Sequence, residues 1–376
     1  MTEALLPEGV AARFHFPPGA TYLKSHSVGC QPREAGALLQ QHYLGPWAET
    51  GEAWPHWLEA IDGWRAALAG LIGAAPQHLC PATNVSAALS RYLSALGAAT
   101  ERRTILFAPS AFPTIGYVAS GLAAEGWRTR MLPADADVRD AAHWAAALDE
   151  DVALAIPMHV SSNSGALADI AGIAAAARSA GARCIVDCAQ SVGIVPVAPA
   201  AWGVDAAIGT SVKWLCGGPG AAWLWVAPHG DALEPTERGW WSHANPFEMD
   251  IGDFRYAPDA RRWWGGTPDV APFILSTAGI AEIKAIGVDA VRAHNRALQA
   301  MVRRALEDRT PQWSWPTGAI GGTLCIDTGI DQPRVAAALD AHAVKADFRR
   351  TILRLSFHAY NGARDAERLI AALSAR

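Results

Sequence analysis

The stretch CIVDCAQSVGIVPVAPAAWGVDAAIGTSVKWLCGGPGAAWLWV, residues 184–226, decides the fold. It carries three short apolar runs: CIVD (184–187), AAIGT (206–210) and AAWLWVA (221–227). Runs this short and this uniformly apolar predict strands buried on both faces, as in a sheet covered by helices. Asp187 stands where the first strand ends, and Lys213 lies in the loop after the second. In an open α/β sheet ligands bind at the carboxyl ends of the strands, so both side chains reach one crevice. Lys213 also sits close to Gly217, Gly218 and Gly220, a composition suited to a tightly packed loop.

Upstream, helical and extended texts alternate. Helices are predicted over 57–72, 84–96, 114–126 and 166–181, with strands over 104–108 and 151–158; the second helix follows a Pro-Ala-Thr turn. This order predicts a doubly wound, mostly parallel α/β layer. After about residue 270 the text changes to two successive helices, the second (289–308) long enough to bridge domains. Strands at 322–328 and 351–357, a helix near 333–342 and a terminal helix then form a smaller α/β unit. The expected organisation is an N-terminal arm (1–30), a large domain (31–280) and a small C-terminal domain (281–376).

Composition narrows the function. The chain has 376 residues, 51% of them hydrophobic, enough for a large core. Its 31 basic and 36 acidic residues leave a net charge of −5, with no basic surface for nucleic acid. Six cysteines are scattered without zinc or disulfide spacing, so no metal site is expected and the setting is read as reducing and cytoplasmic. The N-terminus lacks a signal-peptide pattern, and no apolar run approaches a membrane span. Only four residues are lysines (Lys24, Lys213, Lys284 and Lys345), so chemistry that needs an amine has few candidates.

A carboxylate and an amine at one crevice suit pyridoxal phosphate. That cofactor takes a lysine for its Schiff base and an acid to keep its pyridine nitrogen protonated. Taken alone, the pair is open to a second reading, in which Asp187 caps a turn and Lys213 is a surface lysine. The wider pattern goes further. DCAQ (187–190), GVD (203–205) and KWLCGGPGA (213–221) follow one another, flanked by TYLKSHSVGCQP (21–32), ILFAPSAFPTIGYVASGLAAEG (105–126), GWWSH (239–243), GGTPD (265–269) and ILRLSFHAYN (352–361). In that order they resemble the class V aminotransferase family of fold-type-I pyridoxal-phosphate enzymes, most of all its kynureninase branch.

The resemblance implies roles residue by residue. Lys213 forms the Schiff base and then serves as general base or acid at the substrate Cα. Asp187 pairs with the pyridinium nitrogen, Phe112 stacks on the ring, and Gln190 supports the ring's phenolic oxygen or its neighbours. Thr83, just ahead of a helix whose amides favour an anion, and Ser211 are phosphate ligands. Trp240 and Thr267 reach the cofactor phosphate, with the Thr-bearing loop coming from the partner subunit, which implies a homodimer with composite sites. Arg354 grips the α-carboxylate of an amino-acid substrate, as a guanidinium does with two parallel hydrogen bonds, the rival reading being a structural salt bridge; His26 and Ser27 also face the substrate.

The departures bear on the reaction. Kynureninases carry a tyrosine before the lysine, an aspartate after Phe-Pro-Ser/Thr, a histidine after Asp-x-Ala, and an asparagine near the N-terminus. Here those positions hold Val212, Ile115, Gln190 and His26. A cysteine desulfurase needs a loop cysteine before the C-terminal arginine to take the sulfur, and residues 344–355 contain none. The expected activity is kynureninase-like β-carbon–carbon cleavage with diverged specificity. An aminotransferase, an amino-acid epimerase and a non-catalytic binding protein of the same fold are the alternatives. The 16 tryptophans hint at a bulky or aromatic substrate.

Overall fold

A computed structural model describes residues 5–97 and 99–374. The first four residues of the expected arm and the last two of the expected small domain lie outside the described residues. The centre is a seven-stranded sheet of β1 (Leu79–Ala82), β2 (Thr104–Phe107), β3 (Arg128–Met131), β4 (Val152–Ile156), β5 (Arg183–Asp187), β6 (Ala206–Thr210) and β7 (Ala222–Val226), in the order β1-β7-β6-β5-β4-β2-β3. The pairs from β6 to β3 are parallel, with Asp187 opposite Ile208. Only β7 runs against its neighbours β6 and β1. Six strands therefore share one direction, and their carboxyl ends open along one edge.

Helices cover the sheet: α1 (Trp54–Leu71), α2 (Val85–Ser94), α3 (Pro113–Gly121), α4 (Ala141–Ala147), α5 (Ile170–Ser179) and α6 (Ala271–Ile286). Every residue of β1, β2, β4 and β7 is buried, as continuous apolar strands require. The helix expected from 166 begins only at Ile170, because Asp169 caps it by accepting from the Gly172 amide. Ala166 and Leu167 instead make isolated bridges to Ile320 and Val160.

Two strands of this seven-stranded sheet escape the sequence reading. The mostly exposed RTRM text of β3 has no apolar alternation. In β1, Pro81 reads as a turn, and the expected Pro-Ala-Thr turn is in fact the end of that edge strand, a place where a proline is tolerated.

The second, smaller unit is an antiparallel sheet β8-β10-β9 of β8 (Leu324–Asp327), β9 (Asp347–Arg349) and β10 (Ile352–Leu355). It packs with α7 (Val288–Leu306), α8 (Gln332–Ala341) and α9 (Ala363–Ser374). Ile280, Ile283 and Val291 belong to the larger core, whereas Leu298, Val302 and Leu306 belong to the smaller. The long helix α7 thus passes from one core to the other. The N-terminal segment joins the small unit: Thr21–Tyr22 pairs with Val344–Lys345, and Leu23 lies in its core. Among the described residues no single helix is long and apolar enough to cross a membrane.

Candidate active site

The shared strand direction brings the chain segments after Ala82, Phe107, Ile156, Asp187 and Thr210 to one edge. There they line a cavity of about 270 Å³ whose walls include Thr83, Phe112, Asp187, Gln190 and Lys213. Five of the sequence-predicted residues thus meet at one place.

Asp187 is buried at the end of β5, where its Oδ1 accepts from the Ala189 amide at 2.8 Å. Burial pushes its carboxyl pKa up, while that hydrogen bond and the charge of Lys213 pull it down. Lys213 shows the complementary effect. Burial lowers its pKa, the Asp187 carboxylate raises it, and the nearby Arg354 and Arg349 lower it further. A lysine so shifted has more of its neutral, nucleophilic form near neutral pH.

The loop that carries Lys213 is held by backbone contact. The Gly29 amide donates to Val212 O at 2.8 Å, and a Cβ at Gly29 would lie 2.1 Å from the Lys213 carbonyl oxygen. Only glycine allows the N-terminal segment to lie this close.

Thr83 and Asn84 precede α2. The cap is Asn84, whose Oδ1 accepts from the Ala87 amide at 2.8 Å, and Thr83 Oγ1 accepts from Asn84 Nδ2. Thr83 is thereby exposed at the cavity wall rather than spent on capping. The start of α2 offers amide donors and a positive dipole end to an anion. Phe112 caps α3 from an extended conformation and is 37% exposed, so it is not a core aromatic. Its ring centroid lies 5.6 Å from Lys213 Nζ. Gln190 Nε2 donates to His26 O, and its Oε1 accepts from Trp214 Nε1, fixing the amide in place.

Other expected residues lie elsewhere. Ser211 is fully buried, accepts from Ser276 Oγ at 2.7 Å, and does not line the cavity; its neighbour Thr210 does. The expected phosphate contact of Ser211 is replaced by this internal hydrogen bond. Trp240 donates to Thr267 Oγ1 at 3.2 Å, and neither residue lines the Lys213 cavity. They are flanked by exposed Phe247, Met249 and Ile251. His26 has both ring nitrogens engaged, Nδ1 with Ser356 and Nε2 with Asp347 at 2.9 Å. Ser27 is half-buried in the adjoining turn, and its amide donates to Lys24 O. Arg354 is buried on β10 and forked onto Asp347 at 2.9 and 2.7 Å.

Three residues were missed in the sequence. Asn84 is the cap of α2, and its residue type just ahead of a helical text was the available signal. Asp347 and Arg349 sit on β9, and Arg349 bonds Ser162 Oγ and Asn163 Oδ1, its guanidinium 5.9 Å from the Phe112 ring centroid. Their spacing ahead of Arg354 was the available signal. Of the departures, Val212 lines the cavity, whereas Ile115 is fully buried in the larger core.

This donor set fits pyridoxal phosphate. It combines a buried carboxylate, a lysine with a lowered pKa, an aromatic face beside that lysine, and a helix start for a phosphate. A family model described as aminotransferase class-V matches residues 48–369. Among curated proteins, the chain is 32% identical to a kynureninase of Burkholderia mallei, over 92% of this chain and 86% of the relative. It is 33% identical to a kynureninase of Deinococcus radiodurans, over 80% and 75%. Among solved structures, a cysteine desulfurase from Thermococcus onnurineus NA1 superposes with a TM-score of 0.85 at 20% identity, covering 99% of this chain and 98% of that one. The cystine C-S lyase C-DES, bound to cysteine persulfide, also gives 0.85 at 21% identity, over 95% and 97%. At these identities the two structures speak for the fold alone.

Proposed function

This chain belongs to the aminotransferase class-V family and is a pyridoxal-phosphate-dependent enzyme, and from that premise we propose that it cleaves a β-carbon–carbon bond of an α-amino acid, with a specificity diverged from the kynureninases. The observation that carries this reading is the meeting of Lys213, Asp187 and Phe112 at the carboxyl edge of the sheet, in a chain 32% identical to kynureninases over nearly its whole length.

Pyridoxal phosphate, when bound, supplies an electron sink for the bonds at the substrate Cα. The protein's own groups do the rest. The amides at the start of α2, with Thr83, hold the phosphate. Asp187 keeps a proton on the ring nitrogen, which its burial beside Lys213 equips it to do. Phe112 covers one face of the ring. Lys213 holds the cofactor, then takes the Cα proton and returns it. Arg354 takes the substrate carboxylate and so orients the bond to be broken. Trp240 and Thr267, outside their own chain's cavity, serve a second copy, so this reading takes the working unit as a homodimer.

A second reading, transamination, is favoured by one feature of the cavity. Val212 puts an isopropyl group where the kynureninase pattern has a hydroxyl for proton transfer. Holoenzyme mixed with kynurenine and a panel of bulky amino acids separates the two. Multiple turnovers yielding alanine and an acid, with no oxo acid added, support cleavage. Turnover that stops after one equivalent and resumes only with a 2-oxo acid supports transamination and overturns the first reading. A desulfurase has no support here, because residues 344–355 contain no cysteine.

A further inference from the structure

A guanidinium has two usable edges, one formed by Nε and one Nη, the other by the two Nη groups. Asp347 occupies the first edge of Arg354, with Oδ1 2.9 Å from Nε and Oδ2 2.7 Å from Nη2. His26 Nε2 lies 2.9 Å from the same Oδ1, and Ser356 engages the other ring nitrogen. Among the described residues, the remaining nitrogen, Nη1, has only a long 3.5 Å approach to Ser162 O. Ser162 lines the Lys213 cavity, whereas Asp347 and His26 do not. Arg354 itself does not line that cavity, but its Nη1 side approaches a residue that does, whereas its Asp347 side approaches one that does not.

We infer that Asp347, backed by His26, is a positioning residue that holds Arg354 by its rear edge and presents the front edge to the substrate carboxylate. This rests on the reading of Arg354 given above. It also gives His26 a different part from direct substrate contact. Its ring links the N-terminal segment, which Gln190 holds through His26 O, to Asp347 on β9 and to Ser356 just after β10. The carboxylate site is therefore assembled from three distant parts of the chain. The opposite role for Asp347 is a plug, a carboxylate that competes with substrate for Arg354. The two roles predict opposite signs when its charge is removed.

The test titrates holoenzyme with L-alanine and with L-kynurenine, following the cofactor's visible absorbance, for the wild type, Asp347→Asn, His26→Asn and Arg354→Gln. Positioning predicts that Asp347→Asn weakens amino-acid binding about tenfold or more, the worth of one charge-assisted hydrogen bond. KM rises more than kcat falls, and the spectrum before substrate is unchanged. His26→Asn weakens binding less, in the same direction, and decides the matter if Asp347→Asn does not fold with cofactor. Binding that is unchanged or tighter in these variants overturns the inference. Arg354→Gln separates the two levels. If it weakens binding while Asp347→Asn does not, only the inference falls. If it leaves binding unchanged, or the wild type responds to neither amino acid, the reading of Arg354 and of the substrate class falls as well.

Discussion

Lys213 and Asp187 form the site through opposing electrostatic effects. Burial discourages charge on both, and each one's charge favours charge on the other. Lys213→Ala is expected to lose the visible absorbance of the lysine-linked cofactor and about a thousandfold in turnover. Retention of both would show that another amine does the chemistry. Asp187→Asn keeps the size of the group but not its charge. It should still bind cofactor while losing about a hundredfold in rate, measured under saturating cofactor. Both residues were legible in the sequence because Asp187 ends a continuous apolar strand and Lys213 lies in the loop just after another. Ser211 was misread as a cavity residue, because at a strand end one step along the chain reverses the direction of the side chain. Thr210 faces the cavity, and Ser211 faces Ser276 on α6.

At the scale of elements, the Lys213 loop is wedged between the N-terminal segment and α6. In α6, a Cβ on Gly279 would fall 1.8 Å from Leu215 O, so the helix touches the loop backbone directly. Gly63 in α1 is the contrast, since it is exposed and nothing lies within 4 Å of its added Cβ. Helix propensity alone makes glycine to alanine stabilising by about 1 kcal/mol in either helix. Gly63→Ala should show that gain in urea denaturation. Gly279→Ala should lose about 1–3 kcal/mol instead, as overpacking outweighs propensity, and should also weaken cofactor retention by displacing the loop. Equal gains at both positions would show that the loop yields at no cost. The helices α1, α2, α6 and α7 were all visible as periodic text. The strands β1 and β3 were not, because in the edge strand β1 Pro81 reads as a turn and the edge strand β3 is mostly exposed.

For the whole molecule, histidines buried without charge contribute to acid stability. Burial pushes His159 and His358 down to about 4 from an ordinary value of 6.5. Between those values the unfolded chain binds protons at these positions and the folded chain does not, so stability rises with pH across that window. The contribution is fully present above about pH 6.5 and is lost as pH falls to about 4, at roughly 3 kcal/mol for each histidine. Denaturant titrations at pH 8 and pH 5 should differ by several kcal/mol, and His358→Gln should flatten that difference. A pH-independent unfolding free energy would overturn the assignment. Sedimentation is expected to give twice the chain mass, and a monomer holding full activity would overturn the role given to Trp240 and Thr267.

The sequence by itself determined the layered α/β class, the strand end that bears Asp187 and the loop that bears Lys213, and, through colinear motifs, the family and its cofactor. These follow from local rules: burial on both faces writes continuous apolar strands, and a cofactor's chemistry restricts residue types at their ends. Tertiary structure alone decided what surrounds Arg354. Asp347 is seven residues away in the chain, across a hairpin, and His26 is more than 300 residues away. No local pattern records that a carboxylate and an imidazole meet behind one guanidinium. Their meeting depends on the N-terminal segment pairing with the small unit, a long-range contact made by packing and backbone hydrogen bonds.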